Sequence, residues 1–372
     1  MQRTKVANYD DALDIIEHVN EDHTSELKAI VASKFPERDV ERVALLDVFE
    51  EGILLGIFAS GQTHSDELFV PFEIKGTLQE RIFYLAYAYS DPNTALKETR
   101  RFLTVMDTSK LTDNFTRITL RTDLAFPQEW AGLCFSTHLK VFAQAEKEQK
   151  KPAKLALLLS RLGARCSLFL MKVLPVKMRR SMVKKSRKDI RPYTLRNTWQ
   201  EDIDGKTQYF GIFDVFTHGS SQGSVWANSL KQGDIIYTSG DHIDNHPALA
   251  QGKNVIFCDE TAFPAAAGLL EQWENPHPPT LIVVSQKQSE QAYFDDVKLP
   301  QNTKILRIVC DFMAQGDKVI DQLKSIGSFD TVWGAMESSS AKKVRHFLRN
   351  NYKLKGPNNL VKPYWAVQDE KE

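Results

Sequence analysis

Four short apolar runs in the last third of the chain constrain its fold most tightly. Asn254–Cys258, Thr280–Val284, Lys304–Val309 and Asp330–Trp333 are rich in Val, Ile and Leu and lack the polar alternation of a strand with one wet face. A strand apolar on both sides needs cover on both sides, and helices supply that cover in a parallel sheet. Stretches of helical composition separate the runs. The pattern predicts an α/β domain with a parallel sheet over residues 241–372.

The rest of the chain reads differently. Arg117–Leu120, His138–Phe142, Arg191–Arg196, Tyr209–Phe216 and Asp234–Tyr237 follow one another without helices of similar weight, apart from one insertion. They predict an antiparallel β-barrel over 106–240. Upstream, a helix is expected from Asp11 toward Ala32, strands over 43–49 and 52–58, and a helix over Leu78–Tyr89 that stops at Asp91-Pro92. Residues 1–105 thus form a small α+β domain. The fold class is multidomain α/β and β, and 372 residues suffice for two or three domains.

The formal net charge is zero, so nothing global points to nucleic acid. Cys134, Cys166, Cys258 and Cys310 are scattered, with no CxxC pair to suggest a zinc site or a disulfide framework. Met1–Asp10 has no apolar core of the kind a leader carries. A reducing cytoplasm is the expected home.

Charge balance fails locally. Residues 147–188 hold fourteen Lys and Arg and one acidic residue, Glu148. Within the apolar run 155–174, Arg161, Arg165 and Lys172 recur near one helical face, and the run is too interrupted to span a membrane. Two readings stand for this insertion, taken as 145–188. It packs on the protein with a solvated basic edge, or it lies as an amphipathic helix on an anionic membrane surface at the cytoplasmic side.

Three motifs carry candidate chemistry. In Arg191-Pro192-Tyr193-Thr194, the guanidinium suits a pyrophosphate and the tyrosine, two residues on, shares its face of the strand. The ring can pack on a flavin, and the threonine can offer its hydroxyl and N–H to the flavin N5–O4 edge. Alone, such a string is more often an ordinary strand. In Thr217–Ser224, small residues precede a helix at Val225, which suits an anion but also an ordinary N-cap. Asp259-Glu260-Thr261-Ala262 closes the first parallel strand, with a helix expected from Phe263-Pro264. Thr261 either faces a phosphate or nicotinamide there, or Asp259 and Thr261 merely cap the helix. No GxGxxG is present.

In this order the motifs resemble those of the siderophore-interacting proteins, FAD-dependent ferric-siderophore reductases. The shared pieces are Lys140, Arg191–Arg196, Asp214 and His218, Ser224–Ala227, Lys231–Asp234, Asp259–Ala262, Trp333–Glu337 with Arg345, and Tyr364-Trp365. The resemblance implies a ferredoxin-reductase-like pair, a flavin-binding barrel and an NAD(P)H-binding domain. It also implies one-electron delivery from reduced FAD to a ferric chelate, with NADH or NADPH as donor. It assigns Arg191, Tyr193, Thr194, Arg196, His218, Gly223, Ser224, Trp226, Asp259, Thr261 and Trp365 to the cofactors, with Thr194 at the reactive edge. Lys140 and Arg345 become the cations that hold an anionic ferric siderophore; no protein metal ligand is implied. Where the family reads Ala-Gly-Glu this chain has Ala335-Met336-Glu337, which puts the nucleotide contact there in doubt.

Residues 10–100, with His18–His23 and Val70-Pro71-Phe72, resemble a small domain of certain haem-utilisation proteins. On one helix His18 and His23 diverge, so structural histidines are expected, with haem contact as the alternative. Three functions follow: a ferric-siderophore reductase, a reductase supplying haem utilisation, or a non-enzymatic iron-chelate or membrane adaptor.

Overall fold

The computed structural model describes residues 3–37, 40–61, 65–89, 100–127, 131–142, 166, 168–244 and 246–367. The chain divides into two compact units. One comprises Met1–Glu98 with Lys147–Lys188, the other Thr99–Glu146 with Asp189–Glu372.

In the first unit, α1 (Tyr9–Asp22) and α2 (Thr24–Lys34) pack with an antiparallel sheet of β1 (Arg42–Val48), β2 (Gly52–Phe58) and β3 (Asp66–Pro71). Ala12, Ile16 and Val19 bury one stripe of α1 at helical spacing. α3 (Leu78–Tyr89) adds Ile82 and Leu85 to the same core. The single helix expected through residues 11–32 is broken at His23, which serves as its stop and as the start of α2. The break matters for the two histidines. Instead of diverging, their rings meet edge to face, with centroids 5.1 Å apart, and His23 pairs with Glu26.

The insertion joins this unit too. Residues 168–173 are helical and are followed by α4 (Val176–Arg187). Arg161, Arg165 and the apolar residues 155–165 lie outside the described residues. Arg179 is buried and donates to the carbonyls of Met171 and Lys75. Lys172 pairs with Glu73 at 2.7 Å and Arg180 with Glu80 at 3.0 Å.

The second unit opens with a closed barrel of order β4-β5-β8-β7-β6-β9. Its strands are β4 (Arg100–Thr112), β5 (Phe115–Thr122), β6 (Leu133–Phe142), β7 (Ile190–Ile203), β8 (Lys206–Phe216) and β9 (Ile235–Ile243), with α5 (Gln222–Ser229) between the last two. Leu103, Ile118, Phe135, Leu195 and Phe213 alternate inward and fill it. A parallel sheet of order β12-β11-β10-β13-β14 follows, from β10 (Asn254–Cys258), β11 (Thr280–Ser285), β12 (Lys304–Val309), β13 (Thr331–Glu337) and β14 (Asn359–Trp365). It is covered by α6 (Phe263–Glu271) on one side and by α7 (Gln315–Ile326) and α8 (Ser338–Phe347) on the other. The barrel and parallel sheet expected from the sequence are both present.

Barrel and sheet share a core. Phe115 of β5 stacks on Phe263 of α6 and meets Tyr293, and all three are buried. Gly334 shows how closely the sheet is packed: a Cβ there would stand 2.2 Å from the Phe257 ring.

Candidate functional site

Arg191, Tyr193 and Thr194 enter the barrel through β7, directly opposite β6. Thr137 faces Arg191, Phe135 faces Tyr193 and Cys134 faces Thr194. The Arg191 guanidinium donates to the Ile190 carbonyl and to Gln222 Oε1 at 3.3 Å, at the first turn of α5. Ser221 caps that helix by accepting from the Ser224 N–H, and the Ser224 hydroxyl donates to the His218 carbonyl. A fixed cation therefore lies beside a helix N-terminus, where the helix dipole also favours negative charge.

Tyr193 stacks on Trp226 at 5.5 Å, nearly parallel, and Trp226 is buried behind it. Gly223 makes this possible, because a Cβ there would stand 2.7 Å from the Tyr193 hydroxyl. Burial pushes the Tyr193 phenol up to about 12, so it is a neutral donor at physiological pH.

A second cluster gathers at the carboxyl ends of β10, β13 and β14. Asp259 is fully buried; one oxygen accepts from the Thr261 N–H at 3.0 Å and its hydroxyl at 2.6 Å, the other from Trp365 Nε1 at 2.7 Å. Burial raises its carboxyl to about 6 against these bonds. Asp259 and Thr261 thus form a cap before α6, which begins at Phe263 as the sequence predicts. Glu260 is buried alongside; burial pushes it to about 7 despite the Gln286 N–H that it accepts at 2.6 Å. Trp365 reaches toward His218, with ring centroids 6.5 Å apart. Burial, with Cys134 and Asp244 nearby, holds the Tyr364 phenol well above the ordinary value, against a lowering by Thr194 beside it. Through Tyr364 and Trp365, β14 links the Thr194 strand to the Asp259 turn.

A cavity of about 540 Å³ opens elsewhere, beside Pro247, Gly252 and Asp330 at the amino ends of β10 and β13. Ligands of open parallel sheets settle outside the carboxyl ends of the strands, so the Asp259 cluster is the better candidate.

Comparison with known proteins bears on this arrangement. Residues 252–368 match the sequence model of the siderophore-interacting proteins. The matched stretch is the parallel-sheet domain. The siderophore-interacting protein of Acinetobacter baumannii superposes on 73% of this chain and 93% of its own, at 17% identity and a TM-score of 0.52, a likeness of fold. A siderophore utilization protein from T. fusca (18% identity, 74% and 95% covered) and SipS from Aeromonas hydrophila (17%, 74% and 94%) both give TM-scores of 0.49. No curated protein matches the chain in sequence.

The structure brings most of the sequence-derived residues together and sets others apart. Arg191, Tyr193, Gly223 and Ser224 share one corner, and Thr194, Asp259, Thr261, His218 and Trp365 cluster along β14. Trp226 supports Tyr193 from behind. Arg196 is buried and turned to α6, where it makes a bidentate pair with Glu271 at 2.6 and 2.8 Å. Arg345 donates to the Val361 carbonyl, four residues short of Trp365. Lys140 stands on β6 with 64% of its side chain exposed, 4.0 Å from Asp189. Partial burial and then the Lys140 charge hold the neighbouring His138, bonded to Ser239, below the usual imidazole value. Met336 is fully buried in the core with Phe257 and Val344. Sequence reasoning did not single out Tyr364 as a site residue, and the adjacent aromatic pair Tyr364-Trp365 was the available signal.

Proposed function

We propose that this protein is an FAD-dependent ferric-siderophore reductase of iron acquisition, with NADH or NADPH as donor and Fe(II) as the released product. The observation that carries the reading is the corner of Arg191, the α5 N-terminus and the Tyr193 ring lodged over Gly223. It pairs an anion site with an aromatic shelf, the two things a flavin nucleotide asks of a barrel.

Bound flavin supplies the step between a two-electron donor and one-electron delivery to iron. The chain's own residues bind and orient. Arg191 and the α5 N–H groups hold the pyrophosphate, with Ser224 and His218 shaping the loop. Tyr193, backed by Trp226, supports the ring. Thr194, beside Tyr364, holds a proton at the reactive edge. Asp259, Thr261 and Trp365 fix the strand end that receives the nucleotide. Lys140, exposed on β6, recruits the anionic chelate by charge, and outer-sphere transfer needs no protein ligand to iron. The four cysteines are free, in keeping with a cytoplasmic setting.

The test is a visible spectrum of the purified protein. Flavin absorbance is expected, bleached anaerobically by NADH or NADPH and restored by a ferric siderophore faster than by haemin. A colourless protein that takes up no added FAD overturns the reading, and faster reoxidation by haemin moves it to haem utilisation. Lys140→Ala is expected to weaken ferric-chelate binding several-fold while leaving flavin bleaching intact. Gly223→Ala is expected to weaken FAD binding about tenfold, because the new Cβ displaces Tyr193.

A further inference from the structure

The basic insertion presents a surface that the reductase reading does not use. Of its cations, Lys172, Arg179 and Arg180 turn inward and tie the segment to Glu73, the Lys75 carbonyl and Glu80 of its own unit. With its inner edge fixed, the segment shows an apolar outer one. Phe169 and Val173, one helical turn apart, are 66% and 62% exposed. Met178 and Met182, again one turn apart on α4, are 54% and 51% exposed, and Leu170 is open as well. Exposed Lys177 lies beside them. α4 carries six Lys and Arg and no acidic residue.

Large apolar side chains grouped on a surface mark a contact site. Here they alternate with cations, so the partner combines an apolar interior with negative charge. Nucleic acid offers the charge but no place for Phe169 and two methionines. A second copy of this segment offers the apolar contact but repels by charge.

We propose that this face of the N-terminal unit docks on an anionic lipid bilayer. Phe169, Val173, Met178 and Met182 enter the boundary between headgroups and acyl chains, and Lys177 meets the lipid phosphates. Among the described residues no helix is long and apolar enough to cross a membrane, so the contact is one of lying on the surface. The device brings the protein to a membrane without demanding that either compact unit change.

The test uses the full chain and sedimentation with vesicles of phosphatidylcholine, alone or mixed with phosphatidylglycerol. The protein is expected to pellet with the mixed vesicles only and to be released by high salt. Phe169→Ser with Val173→Ser removes exposed side chains only, and unchanged circular dichroism melting verifies the fold. This double variant and Lys177→Glu should each lose roughly tenfold in vesicle partitioning. Three results each overturn the proposal: no enrichment with phosphatidylglycerol vesicles, equal pelleting of the wild type and the double variant, or heparin retention without vesicle binding. Neither flavin nor chelate is needed, so failure here leaves the reductase reading untouched.

Discussion

Two sets of ion pairs use the same residue types to opposite effect. Where the barrel meets the parallel-sheet domain, the Asp214 side chain is fully buried and takes a bidentate pair from Arg117 at 2.7 and 2.8 Å, plus the Tyr293 hydroxyl at 2.7 Å. Arg196 and Glu271 lie beside it, and Glu290 accepts from Thr112 and Asn114 of the barrel. Where the insertion meets its own unit, Arg180 and Lys172 pair with Glu80 and Glu73 in contact with water, with side chains 54% and 49% exposed on the cationic side. The lesson is that burial, not partner count, decides what a charge pair does. A buried network strongly resists the loss of one member, whereas an exposed pair is screened and nearly neutral.

The sharpest way to break the contrast is Asp214→Ala, which strands Arg117 and Tyr293. Unfolding in urea should show a loss of about 3–5 kcal/mol in the barrel-containing unit. Next comes Glu260→Gln, a buried group with no ion pair among the described residues. The folded carboxyl titrates near 7 against an ordinary 4.5, so the folded state holds a proton that the unfolded state releases. This raised value favours folding at low pH, and the benefit disappears as pH rises from about 4.5 to 7. Glu260→Gln keeps the acceptor for Gln286 and should flatten that slope, gaining on the order of 1–3 kcal/mol above pH 7 in denaturant titrations. The smallest effect is expected from Arg180→Ala, under about 1 kcal/mol and erased in high salt, since the pair is exposed. A large, salt-insensitive loss there would dissolve the distinction between the two regions.

Local signals made much of this legible. The apolar runs gave β10 and β12 with their observed ends and Pro264 marked the start of α6, while the stop expected at Asp91-Pro92 lies outside the described residues. Three strands escaped, β3, β4 and β14. β14 contains Pro363, which argues against a central strand but is tolerated on the sheet edge that β14 forms. β4 begins Arg100-Arg101 and later carries Asp107 and Lys110, so a polar face masks its inward Leu103 and Val105. In the site, Arg191 and Tyr193 were legible as residues sharing one face of a strand, although the Arg191 partner Gln222 lies 31 residues away. Arg196 was not, because Glu271 lies 75 residues away and nothing local announces it.

The N-terminal unit is built from two separate stretches, residues 1–98 and 147–188, with barrel strands encoded between them. On the ribosome this has a consequence. The first stretch emerges early, but the carbonyl-binding Arg179 that fastens the second to Lys75 arrives only after three barrel strands have been made. Synthesis therefore interleaves the two units, and neither can be completed before the nascent chain is about half translated. Unlike a string of domains that fold one behind another, this chain must hold an unfinished barrel and an unfinished N-terminal unit at the same time.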